Sequence, residues 1–107
     1  MSVRRISIPD AAALLADGKA TVVDIRDALS FQAGHIPGAI HLTNDNVGRF
    51  LQETDHARPL VVCCYHGNSS ISAAAFLAEQ GYAEVYSLDG GFEGWRFNHP
   101  VERTAPR

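Results

Sequence analysis

Cysteine is scarce in this chain: there are two, Cys63 and Cys64, and they are neighbours. Adjacent cysteines cannot build a disulfide framework, so the sequence is not a stapled scaffold and a reducing, cytoplasmic setting is expected. Long apolar runs are also missing. None approaches the roughly 20 residues that span a bilayer, and no apolar core follows Arg4 and Arg5 as a secretion signal requires. A membrane role is therefore not expected. The nine basic residues are scattered and the formal charge is -3, so there is no basic stripe for nucleic acid. Repeats, low-complexity tracts and linker-like stretches are absent as well. What is present is 107 residues of ordinary globular composition, 46% hydrophobic. That suits one domain over 1–107 with a single core and, by default, a monomer.

Turn and cap signals divide the chain evenly. Ser7 with Asp10 reads as a capping box opening a helix over 11–16, ended by Gly18. Residues 20–25 form an apolar strand finishing on polar residues. Asp27 caps a short helix over 28–33, stopped by Gly34, and 38–42 is a brief strand. Thr43 or Asn44 is the expected cap of a helix near 45–54. Residues 60–63 are the most apolar strand, and 71–80 an alanine-rich helix with Ile71, Ala74, Ala75 and Ala78 on one face. A strand at 85–88 and a last helix at 91–97 complete the pattern. Short continuous apolar strands alternating with helices predict an α/β fold, a mostly parallel sheet with helices on both faces. Such sheets bind ligands at the carboxyl ends of their strands, where Asp24, Arg26, Cys64 and Asp89 all fall.

The chemistry concentrates in Cys64-Tyr65-His66-Gly67-Asn68-Ser69-Ser70. A cysteine stands at the end of a buried strand, followed by small residues and a helix amino terminus. Unpaired N–H groups and the positive end of the helix dipole favour an anion there, and the thiolate is the reactive form of cysteine. Gly67 permits a sharp backbone turn and Asn68 tolerates a left-handed one, so successive N–H groups can face the sulfur as a nest. Ser69 or Ser70 is expected to cap the helix, with a hydroxyl donating to the charged sulfur. Cys63 belongs to the strand, where side chains alternate in direction, and is assigned to packing. Such a thiolate suits attack on a sulfur or phosphorus electrophile.

These residues resemble the active loop of the rhodaneses, the thiosulfate sulfurtransferases. The stretch Val22-Val23-Asp24-Ile25-Arg26-Asp27, with Phe31 and Gly34-His35-Ile36-Pro37-Gly38-Ala39-Ile40-His41-Leu42, is similar to the family's amino-terminal signature. Residues 81–95, ending Asp89-Gly90-Gly91-Phe92-Glu93-Gly94-Trp95, are similar to its carboxyl-terminal one. The match runs from about 6 to 95, leaving 98–107 as a tail. It is nearest to the short single-domain GlpE type. The resemblance implies a rhodanese-like α/β domain in which Cys64 accepts the outer sulfur of thiosulfate as a persulfide and sulfite leaves. Cyanide, or a dithiol protein such as thioredoxin, then removes the sulfur. It further implies Cys64 as the catalytic residue and Tyr65, His66, Gly67, Asn68, Ser69 and Ser70 as substrate-binding residues, the amides of 65–69 holding the persulfide. No metal or organic cofactor is implied.

One departure stands out: no lysine or arginine lies between Pro59 and Gly91. Tyr65 and His66 occupy loop positions where many rhodaneses carry a cation, so modest thiosulfate affinity is expected, resting on backbone donors and His66. His35 and His41 flank a Pro-Gly turn without zinc-site spacing. Asp24 with Arg26 is read as a structural ion pair, and Asp89-Gly90-Gly91 as a tight turn. Two other functions share the thiolate. A cysteine-dependent phosphatase would need Cys-x5-Arg, and Ser70 stands where that arginine belongs. A non-catalytic sulfur carrier or binding module would load once without cycling.

Overall fold

Val22-Val23, Leu60-Val61-Val62 and the Val85 segment are runs of residues that fit a pleated, buried backbone. In the computed structural model, which describes residues 3–104, they form the middle of a five-stranded sheet. The strands are β1 (Arg4–Ile6), β2 (Thr21–Asp24), β3 (Ile40–His41), β4 (Leu60–Cys63) and β5 (Val85–Leu88). Their order is β1-β5-β4-β2-β3, with every pair parallel. The ends of the single domain expected over 1–107, residues 1–2 and 105–107, lie outside the described residues.

Parallel strands require crossovers, and four helices supply them: α1 (Ile8–Ala16), α2 (Ala28–Ala33), α3 (Val47–Glu53) and α4 (Ser69–Glu79); a fifth, α5 (Gly91–Trp95), follows β5. Alternation along the strands builds two cores. Val22, Val61, Cys63 and Leu88 face one side with Ala11, Phe92 and Trp95. Val23, Leu60, Val62 and Val85 face the other with Phe50, Ala74, Leu77 and Ala78. The sheet is thus covered by α1 and α5 on one face and by α3 and α4 on the other. No helix among the described residues is long and apolar enough to cross a membrane.

Local signals explain most boundaries. The Ser7 hydroxyl accepts the Asp10 N–H at 3.2 Å and starts α1, an interaction typically worth about 1 kcal/mol. Asp27 does the same for α2 through Ser30. Two expectations are corrected and one element is added. Strand β1 was not foreseen, because its exposed arginines hide the pattern and only pairing with β5 holds it. Helix α3 is capped by neither Thr43 nor Asn44. Asn46 occupies that position, accepting the Thr43 N–H and donating to the His41 carbonyl, each at 2.7 Å. Helix α4 starts at Ser69 and buries Ser70, Ala74, Leu77 and Ala78, leaving Ile71 exposed. The helix is rotated because Ser70 must face the Cys64 sulfur.

The tail is anchored. His35 and Glu102 exchange both backbone hydrogen bonds, and the Thr104 N–H donates to the Gln32 carbonyl at 3.1 Å. Residues 101–104 therefore lie beside α2.

Candidate active site

Strand β4 ends at Cys63, and the next residue turns out of the ladder into the loop that opens α4. Cys64 Sγ sits inside that loop. The N–H groups of Gly67 and Ser70 both donate to it at 3.2 Å, and the Ser70 hydroxyl lies 3.2 Å away. The turn depends on Gly67, whose φ of +95° is a left-handed value. A Cβ there would also stand 3.0 Å from the Leu88 carbonyl and the Gly90 nitrogen. Asn68 is not left-handed; its φ is -92°, so Gly67 alone takes the strain.

Neither Ser69 nor Ser70 caps α4. Asn68 holds the N-cap without a side-chain bond, which leaves the amides of the first turn available to the sulfur. The Ser70 hydroxyl is 2.7 Å from the Ser87 hydroxyl, and both residues are fully buried. When Cys64 ionises, the Ser70 proton turns to the sulfur and Ser87 donates to Ser70 in its place. Sequence reading missed Ser87. The available signal was a serine in an apolar strand, two residues from Val85 and hence on the α4 face.

The thiol's protonation follows from this geometry. Burial pushes Cys64 up, but the Ser70 hydroxyl, the Ser70 and Gly67 N–H groups and the His66 N–H outweigh it, leaving the thiol below its ordinary range. Cys63 goes the opposite way, pushed up by burial and by the nearby Asp24 carboxylate. The two adjacent sulfhydryls are therefore shifted in opposite directions, Cys64 toward the thiolate and Cys63 toward the thiol.

Hydrogen bonds to α5 and to Asp27 fix the loop. The Phe92 N–H donates to the Cys64 carbonyl at 2.8 Å and the Glu93 N–H to the Tyr65 carbonyl at 3.1 Å. This approach needs Gly91, because a Cβ there would fall 2.6 Å from those same backbone atoms. The Tyr65 hydroxyl donates to the Asp27 carboxylate, which is held well below the usual carboxylate range by Tyr65 and then by Ser30. Tyr65, His66, Asn68 and Ser69 are all exposed.

The polar residues at the strand ends divide. Asp24 and Arg26 form a buried pair, with Arg26 Nη2 2.7 Å from Asp24 and 2.6 Å from the Gly34 carbonyl. Burial lowers the Arg26 pKa, but the Asp24 hydrogen bond and charge outweigh that and hold it above its ordinary value. The guanidinium also lies over the Phe92 ring at 4.2 Å. Asp89 turns to Arg5 instead, at the sheet edge.

Residues 7–98 match the Rhodanese-like domain family. The chain belongs to that family. The thiosulfate sulfurtransferase GlpE of Pseudomonas savastanoi pv. phaseolicola is 52% identical over 94 residues, covering 88% of this chain and 89% of that protein. The crystal structure of a rhodanese-related protein from Thermoplasma volcanium superposes with a TM-score of 0.78 at 26% identity, covering 92% of this chain and 97% of the other. A rhodanese-like domain protein from Staphylococcus aureus superposes with a TM-score of 0.79 at 20% identity, covering 98% and 100%, a likeness of fold alone. The expected rhodanese-like architecture is therefore correct, and the sheet of this rhodanese domain is parallel throughout rather than mostly so.

Proposed function

We propose that the chain is a thiosulfate sulfurtransferase of the GlpE type and that Cys64 carries the sulfur. The observation behind the assignment of Cys64 is the ring of donors around Sγ, which stabilises a thiolate without using a charged side chain. The Cys64 thiolate attacks the outer sulfur of thiosulfate. A new S–S bond forms, the old one breaks, and its electron pair leaves with sulfite. Cyanide carbon then attacks the outer sulfur of the persulfide, giving thiocyanate and regenerating the thiolate. A dithiol acceptor does the same with one thiolate, and its second thiol expels hydrosulfide as a disulfide closes.

In this reading the Gly67 and Ser70 N–H groups and the Ser70 hydroxyl hold the sulfur anion, while Tyr65, His66, Asn68 and Ser69 form the mouth through which thiosulfate enters. Thioredoxin-like dithiols are the proposed protein acceptors. The two free cysteines support a reducing, cytoplasmic setting, and we assign the whole stretch to one domain acting as a monomer.

Steady-state kinetics with thiosulfate and cyanide test the reading. Parallel double-reciprocal lines are expected, because the two half-reactions share only the persulfide. Since the thiolate reacts, kcat/KM for thiosulfate should rise with pH, with a midpoint below the ordinary cysteine value. A sulfur carrier would give one equivalent of thiocyanate and stop. Intersecting lines, or a rise centred above that value, would contradict the mechanism.

A further inference from the structure

Ser87 is the one small polar residue of β5, and its side chain is completely buried. A valine would suit that place in the sheet better, and a buried hydroxyl is costly unless it is hydrogen-bonded. Among the described residues its one side-chain partner is the Ser70 hydroxyl, 2.7 Å away, which in turn lies 3.2 Å from Cys64 Sγ. Groups from β5, α4 and the cysteine loop thus stand in a row that ends at Ser87.

The direction of the row follows from its protons. With Cys64 as a thiol, S–H donates to Ser70 and Ser70 donates to Ser87. The Ser87 proton is then buried without an acceptor. With Cys64 as a thiolate, Ser87 donates to Ser70, Ser70 donates to the sulfur, and every proton is placed. The other neighbours of the sulfur, the Gly67 and Ser70 N–H groups, also suit an anion and offer S–H no acceptor. Hydrogen bonds in a chain strengthen one another, and those ending on a charge are the strong ones. The charged groups nearby are engaged elsewhere: Asp24 with Arg26, Asp89 with Arg5 and Glu93 with Arg96. Tyr65 donates to Asp27, Cys63 lies in the opposite core, and His66 and Glu79 are exposed.

We propose that Ser87 is a positioning residue for sulfur transfer, which from a neighbouring strand turns the Ser70 proton toward Cys64 and so holds the ionised sulfur. The inference rests on the sulfur-transfer reading above. The chain acts twice in the cycle. It supports the thiolate that attacks the donor. It also receives the charge when the acceptor takes the outer sulfur, the S–S bond breaks and its electron pair returns to Cys64.

The test follows alkylation of Cys64 by iodoacetamide across pH, with the modified residue identified by peptide mapping. Only the folded fraction from gel filtration is followed, and a midpoint does not depend on its amount. In Ser87→Ala the midpoint should rise by about half a unit, the worth of one modest hydrogen bond. Ser87→Val, which keeps a good strand residue, should show the same rise. In a Ser70→Ala background, Ser87→Ala should add no shift, because Ser87 acts only through the Ser70 hydroxyl. An unmoved midpoint in the folded variants, or an equal rise in the Ser70→Ala background, overturns the role of Ser87. Loading of the unaltered protein by thiosulfate, read by intact mass, separates the two failures. If thiosulfate loads Cys64 but the midpoint is unmoved, only the role of Ser87 falls; if thiosulfate does not load it, the sulfur-transfer reading falls as well.

Discussion

Replacing Cys64 with serine is expected to lower thiocyanate formation from thiosulfate and cyanide by about a thousandfold or more, the scale seen when a covalent nucleophile is removed. The hydroxyl would sit among the same donors, but an alcohol does not ionise near neutral pH and its oxygen forms no persulfide. Cys63→Ser supplies the contrast. Cys63 is fully buried against the α1–α5 core, and its thiol is pushed up by burial. Turnover per folded molecule should therefore persist, while the buried hydroxyl destabilises the fold by about 1–3 kcal/mol. Steady-state rates together with urea melts check both. Comparable turnover in Cys64→Ser, or loss of turnover in a well-folded Cys63→Ser, would reverse the roles given to the two sulfurs.

The second large effect concerns stability. Arg26→Ala should destabilise the domain by about 3–5 kcal/mol, because it leaves a buried charge without its partner. Asp24 is completely buried, and Arg26 gives it hydrogen bonds from Nε at 3.0 Å and Nη2 at 2.7 Å. The same guanidinium holds the Gly34 carbonyl and covers Phe92, so three segments around the site loosen together. The midpoint of urea unfolding should drop with little change in slope. The double substitution Asp24→Asn with Arg26→Met should recover part of the loss, since it removes the stranded charge. A shift below about 1 kcal/mol in Arg26→Ala would mean that the pair behaves as an exposed one.

The elements with strong local signals were readable from sequence. Asp27 and Gly34 bracket α2, and the apolar run at Leu60 fixes β4, because caps and continuous hydrophobic stretches act within a few residues. Strand β1 lay beyond such reading. Two exposed arginines give no pattern, and its partner is more than eighty positions away. The face of α4 was misread because alanines offer little contrast around a helix, and the deciding contact is Ser70 with a sulfur outside the helix. The same limit applies at the site. The cysteine loop is contiguous and therefore legible, whereas Ser87 and Asp27 reach it from other elements and become visible only once the sheet is assembled.

The central claim is that a single sulfur atom rests on Cys64 between donor and acceptor. Intact-mass analysis after treatment with thiosulfate tests it most directly, followed by peptide mapping and by repetition in Cys63→Ser and Cys64→Ser. The account predicts one added sulfur, located on Cys64, lost on addition of cyanide, retained in Cys63→Ser and absent in Cys64→Ser. Sulfur mapped to Cys63, or no added mass in a folded protein, would contradict it.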